Sequence, residues 1–193
     1  MRKAETHAKL RAMKRLLVSL VALGAFAVTA ASEDSILEFS PNEPTWYVIN
    51  DGVMGGVSSS SVNVENGFLE FSGQVRLENN GGFASVRSAP AQYDLSAFRG
   101  VKLRVRGDGK RYAFQIGTSL ARGVLYRTEF NTINNEWLEV SIPFSTLRPT
   151  RFGQVLSGPP LDLRTIEHFG FIIANKRAES FRLEVDWIRK LEK

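Results

Sequence analysis

Val101-Lys102-Leu103-Arg104-Val105-Arg106 decides the fold class. Its apolar residues take every second position, and its other face is entirely basic. Successive side chains of a strand point to opposite faces, so this alternation predicts a half-buried β-strand. Gly107-Asp108-Gly109-Lys110 follows as a turn whose glycines accept positive φ. Tyr112-Ala113-Phe114-Gln115-Ile116 reads as the returning strand, so the pair is expected to form a hairpin. Lys102, Arg104 and Arg106 form either a ligand face or a solvated edge that charge guards against aggregation.

Working outward, similar runs fall at residues 45–50, 61–64, 68–71, 75–77, 84–87, 124–130, 137–142, 169–174 and 181–188. Gly, Asn, Asp and Pro separate them, and helical periodicity is nearly absent. Short strands at such spacing predict an all-β fold, a jelly-roll β-sandwich. The last run places Phe181, Leu183, Val185 and Trp187 on one face and Arg182, Glu184 and Asp186 on the other.

The chain has 193 residues, 43% of them hydrophobic, enough for one domain with a substantial core. Its formal charge is +5, but the first 31 residues hold six of the 25 basic residues and only one acidic residue, Glu5. The rest carries 19 of each sign. A nucleic-acid partner is therefore not expected of the folded part. A basic stretch ending at Lys14-Arg15, an apolar run over residues 16–28 and the small residues Thr29-Ala30-Ala31-Ser32 have the layout of a secretory signal peptide. The apolar run is shorter than the roughly 20 residues of a membrane span. Residues 1–31 are thus expected to be a cleaved leader, residues 32–193 a single exported domain in the periplasm or the medium, and no membrane span is expected after cleavage. Met13 is a second candidate start. Cysteine is absent, which excludes a disulfide framework and thiolate-metal sites.

Catalytic patterns are sparse. Beyond the leader there is one histidine, His168, in Ile166-Glu167-His168-Phe169-Gly170, which reads as structural rather than as a base or ligand. Glu129, Glu139, Glu184 and Asp186 lie on expected strands, where a pair would serve a carboxylate-dependent glycoside hydrolase only if it faced across a cleft. Their bland reading is solvated residues paired with arginines. No loop supplies the oxygen ligands of a calcium site, so neither metal nor cofactor is expected.

Two glycine-rich clusters stand out. Asn50-Asp51-Gly52-Val53-Met54-Gly55-Gly56-Val57-Ser58 is not a phosphate loop, because no Gly-Lys-Ser/Thr follows, and its glycine spacing does not fit a dinucleotide fingerprint. It reads as a structural loop or, if Met54 is exposed, a soft contact surface. Glu78-Asn79-Asn80-Gly81-Gly82-Phe83-Ala84-Ser85-Val86-Arg87 contains a strong Asn-Gly turn signal. Arg87 at its end either faces a ligand groove or pairs with a carboxylate.

Trp46 with the first cluster, Phe71-Ser72-Gly73 through Arg87, Arg104-Val105-Arg106-Gly107-Asp108-Gly109-Lys110 with Tyr112, Trp137 before Ile142-Pro143-Phe144, and the closing Phe181-Arg182-Leu183-Glu184-Val185-Asp186-Trp187-Ile188 resemble, in order, the blocks of the complex I intermediate-associated protein 30 family. The resemblance implies a jelly-roll fold similar to galactose-binding domains and carbohydrate-binding modules. It also implies an assembly-factor role without catalysis. Asn175-Lys176-Arg177-Ala178-Glu179-Ser180 departs from the pattern in lacking the glycine expected there.

The expected function is therefore a non-enzymatic, exported module that acts through a protein partner in the envelope. Trp46, Asp51, Met54, Ser58, Asn80 and Arg87 are its expected binding residues. The alternative is a carbohydrate-binding module that stacks a glycan on Trp46, Tyr126 and Trp137, residues whose other reading is the core.

Overall fold

The computed structural model describes residues 33–40 and 45–193. The leader expected over residues 1–31 lies outside the described residues. All named strand pairings are antiparallel and fall in two sheets. The first has the order β3 (Ser59–Glu65), β4 (Phe68–Val75), β13 (Glu179–Leu191), β6 (Gly100–Gly107), β9 (Trp137–Pro143), and β1 (Ser35–Glu38) pairs with the far half of β13. The second has the order β11 (Gln154–Val155), β10 (Arg148–Arg151), β8 (Leu125–Asn131), β7 (Arg111–Thr118), β12 (Ile166–Ile173), β5 (Ala84–Ser88), β2 (Trp46–Val48). Their inner faces supply one core, so the expected β-sandwich is the observed architecture.

Phe114, Phe169 and Phe171 meet at ring separations of 5.7–6.0 Å within that core. Tyr112 reaches across the layers to Phe181 at 6.4 Å. The Tyr112 hydroxyl donates to Asp108 Oδ1 at 2.8 Å, and burial followed by the Asp108 charge pushes its pKa far up.

The sequence reading needs four corrections here. β6 and β7 do not form a hairpin but belong to different sheets, so residues 107–110 turn a corner between layers. Asp108 fixes that corner, accepting from Lys110 Nζ at 2.7 Å and from the Arg182 backbone N–H at 3.0 Å as well as from Tyr112. The runs at 68–71 and 75–77 are not two strands: β4 continues through Gly73 to Val75. A Cβ at Gly73 would lie 2.6 Å from Ser60 Cα, so glycine permits the close approach of β3. Trp187 does not share the inner face of Phe181, Leu183 and Val185. The register shifts between Val185 and Trp187, which turns Trp187 outward under Arg189 and puts Ile188 in the core. Lys102, Arg104 and Arg106 guard no edge, because β6 is flanked by β13 and β9.

Replacing Phe114 with Ala should destabilise the domain by about 3–5 kcal/mol, because Phe169 and Phe171 packed against it cannot close the void. Urea unfolding of the variant against wild type measures it.

Candidate functional site

β2 ends at Val48, and the chain then makes one 3-10 turn over Asp51–Met54 that Gly55 closes at φ +89°. Asp51 points inward and is fully buried. Its carboxylate accepts from the Ser58 backbone N–H at 2.9 Å, the Ser58 hydroxyl at 2.5 Å, the Gly82 N–H at 2.7 Å and the Phe83 N–H at 3.3 Å. Burial alone would raise this carboxyl's pKa, but the Ser58 hydroxyl and the backbone donors outweigh it and hold it below the ordinary carboxylate value. Glycine is required at two places around it: a Cβ at Gly56 or Gly81 would strike the Asp51 carboxyl group. Ser58 Oγ also accepts from the Arg76 N–H at 2.9 Å, and Asn79 Nδ2 donates to Gly55 O at 3.1 Å. The two glycine-rich clusters are thereby tied into one loop pair.

That loop pair displays apolar side chains. Val53 is 74% exposed and Met54 57%, with Val57 and Leu77 also exposed. Asn80 is exposed beside them at φ +58°. Of the expected binding residues, Asp51, Met54, Ser58 and Asn80 come together here. Asp51 and Ser58 lie inside and Met54 and Asn80 at the surface. Trp46 is corrected to a core residue, buried between Phe39 at 5.7 Å and Phe171 at 6.1 Å. Val53, Val57 and Leu77 were missed because alternation does not read loops.

Arg87 sits elsewhere, on the outer face of the seven-stranded sheet. The register aligns Tyr47, Arg87, Gly170, Gln115, Arg127 and Arg148 in one row across β2, β5, β12, β7, β8 and β10. Tyr47 is exposed, Gln115 is buried, and Arg87 Nε is buried without a hydrogen-bond partner. His168 packs beside this row over Gly117, where a Cβ would collide with the imidazole. Burial first and the Arg87 charge second lower the His168 pKa to about 4, and its Nε2 is buried without a partner. Arg148 also borders a cavity of about 510 Å³ lined by Phe144, Leu147, Leu156 and Leu161.

The sugar-stacking candidates are not free. Trp46 and Tyr126 are buried, and the Tyr126 hydroxyl donates to the carbonyls of Pro159 and Pro160, 3.1 Å from each. Trp137 lies under the guanidinium groups of Arg104 at 5.1 Å and Arg106 at 4.8 Å. The four carboxylates considered for hydrolysis are all ion-paired: Glu129 with Arg111, Glu139 with Lys102, Glu184 with Arg106 and Arg182, and Asp186 with Arg104. Glu129 lies on the opposite sheet from the other three. Among the described residues, no three His, Asp or Glu side chains group as metal ligands.

Residues 37–185 match the family model described as complex I intermediate-associated protein 30. The mitochondrial complex I intermediate-associated protein 30 of Drosophila melanogaster is 24% identical, over 80% of this chain and 65% of its own length. That of Mus musculus is 34% identical, over 50% of this chain and 31% of its own. The chain thus spans less than two thirds of these relatives. Among solved structures, the family 11 carbohydrate-binding module of Clostridium thermocellum in complex with a β-1,3-1,4-mixed-linked tetrasaccharide superposes with a TM-score of 0.63 at 20% identity, covering 84% of this chain and 98% of the module. At that identity the likeness is one of fold, the jelly-roll, galactose-binding-like sandwich. The expectation of an exported, periplasmic or secreted protein is corrected by the relatives, which are named as mitochondrial. Of the three-part layout that suggested export, the basic, acid-poor stretch is also a feature of mitochondrial targeting segments, so it does not discriminate between them.

Asp51→Ala should destabilise the domain by about 3 kcal/mol, since it strands several buried donors at once. The Asp51 pKa is depressed on folding, so its contribution is present above the unfolded value near 4 and is lost as the pH falls through the folded value. The difference between wild type and Asp51→Ala in chemical unfolding should therefore shrink in acid. His168 has linkage of the same sign, in a higher pH window. The unfolded chain takes up its proton near pH 6.5 and the folded chain only near 4, so stability falls as the pH drops through that window. Thermal midpoints of His168→Gln should lack that part of the slope.

Proposed function

The chain belongs to the complex I intermediate-associated protein 30 family, and on that premise we propose that it is a non-catalytic, assembly-factor-like module whose protein-contacting surface is the loop pair tied by Asp51. The observation that carries this reading is the exposure of Val53, Met54, Val57 and Leu77 on loops fixed by a buried carboxylate. Apolar side chains held at a surface favour a partner that removes them from water. Methionine adds a polarisable contact that adapts to the surface opposite. The hydrogen bonds to Asp51 order the loops in advance, so less conformational entropy is lost on association. Among the expected binding residues, Met54 and Asn80 make contact, while Asp51 and Ser58 act by holding the loops in shape. A glycan reading shares the sandwich fold but lacks its stacking platforms, because Trp46, Tyr126 and Trp137 are covered.

The test is recovery of complex I assembly intermediates on the tagged chain. Met54→Asp should lower recovery by roughly tenfold or more at an unchanged thermal midpoint, as expected when a charge enters a desolvated contact. Recovery equal to wild type would remove the loop pair as the contact surface. Quenching of tryptophan fluorescence by the mixed-linked tetrasaccharide, with no protein recovered, would replace this reading by the glycan one.

A further inference from the structure

The two outer faces of the sandwich treat their cations differently. On the six-stranded sheet, Lys102, Arg104, Arg106, Arg182 and Arg189 each reach a carboxylate, on Glu139, Asp186, Glu184, Glu70 and Glu38 respectively. On the seven-stranded sheet Arg111 pairs with Glu129 at 3.2 Å, but among the described residues Arg87, Arg127 and Arg148 have no ion pair. Arg148 donates only to a backbone carbonyl, that of Ser145, at 2.9 Å. Arg87 is the sharpest case. Arg189 also has a buried Nε without a hydrogen bond, but its guanidinium answers to Glu38. Arg87 Nε has no hydrogen-bond partner, and among the described residues its head has no ion pair. A partly desolvated guanidinium in that state is unfavourable until an anion reaches it.

Arg87, Arg127 and Arg148 stand in one register row with Tyr47, Gly170 and Gln115. Gly170 puts no side chain between Arg87 and Gln115. Adjacent strands are about 4.8 Å apart, so the three steps from Arg87 on β5 to Arg127 on β8 cover roughly 14 Å. In an extended polypeptide, residues four apart lie on one side at about the same separation, from a rise near 3.4 Å per residue. The guanidinium fork matches a carboxylate with two parallel hydrogen bonds.

We propose that this row is an anion-recognition face that takes the carboxylates of an acidic, extended segment of a protein partner laid across the strands. Charge complementarity selects the anion, and the shortage of aromatics selects the polypeptide. Readers of single-stranded nucleic acid interleave cations with stacking platforms, and this row has only Tyr47, at its end. The site is carried by residues other than the exposed loop pair, so it stands or falls separately from the function proposed above.

Fluorescence anisotropy of a labelled oligoglutamate peptide with the full chain tests it. The peptide should bind, more weakly as salt rises. Arg87→Gln and Arg127→Gln should each weaken binding by roughly fivefold or more, in line with loss of a charged contact. Lys102→Gln on the opposite face and Met54→Asp should leave it unchanged, and polygalacturonate and polyuridylate should compete poorly. Arg127, with no buried atom left unbonded, carries the test if Arg87→Gln shifts the thermal midpoint. No binding, wild-type binding by Arg127→Gln, or equal loss in Lys102→Gln would overturn the proposal. Binding of polygalacturonate or polyuridylate at least as tightly as the peptide would overturn the choice of a polypeptide.

Discussion

The capture of Asp51 by donors from its own loop and from a second, distant loop is the interaction on which the end of the sandwich depends. A carboxylate with no exposed surface is tolerable only when its lone pairs are filled, and Ser58, Gly82 and Phe83 fill them. The requirement runs in both directions. The donors must converge, so the chain needs glycine at positions 56 and 81, where any Cβ would occupy the carboxylate's space. The chain between Asp51 and Gly56 is taken up by the 3-10 turn that Gly55 closes, and Val53 and Met54 lie on its exposed side. Exposure of Val53 and Met54 is the geometric remainder of burying Asp51.

Charge is distributed with the same economy on the two sheets. Glu184, 2% exposed, lies between Arg106 and Arg182 on the outer face of the six-stranded sheet, and Arg182 extends the chain of pairs to Glu70. Removing both arginines would leave Glu184 a buried charge without a partner, a loss of about 3–5 kcal/mol. Trp137 and Trp187 are roofed by arginines on that face. Its polar groups are thus committed to one another. The seven-stranded sheet keeps its outer floor low with Ala113, Gly117 and Gly170, and β7 is buried along most of its length. His168 packs over Gly117 and Gln115 beside Gly170 on this floor, so the surroundings of Arg87 bury it in part without giving it a carboxylate.

Alternation made the inner faces legible. Val101, Leu103 and Val105 are all in the core, as period two required. What alternation could not supply was partnership. β6 and β7 looked like a hairpin because four turn residues join them, and nothing local reports that Asp108 would bind the Arg182 N–H 74 residues away and turn the chain into the other sheet. The bulge before Trp187 was hidden for the same reason, since it depends on β6 opposite. Glycine-rich composition located the loop pair correctly, but its logic was inverted: the polar residues Asp51 and Ser58 went inside and the valines outside. A lone Asp among glycines was the available signal, because a short acid flanked by residues without side chains is well suited to collecting backbone N–H groups.

The register row shows why a binding face escapes a reading along the chain. Tyr47, Arg87, Gln115, Arg127 and Arg148 are separated by tens of residues and lie on five strands, and each looks locally like the solvated half of an alternating strand. Only pairing brings them into line. The core aromatics make the complementary point. Trp46 was the most conspicuous residue beside the first glycine cluster, and it was drawn inward because its ring gains more by stacking on Phe171 than by waiting in water. Its neighbour Tyr47, one residue along the strand, is forced outward by the same period that buries Trp46. The strand's alternation therefore decides which of the two aromatics can meet a ligand, and it selects the one with a hydroxyl, next to Arg87.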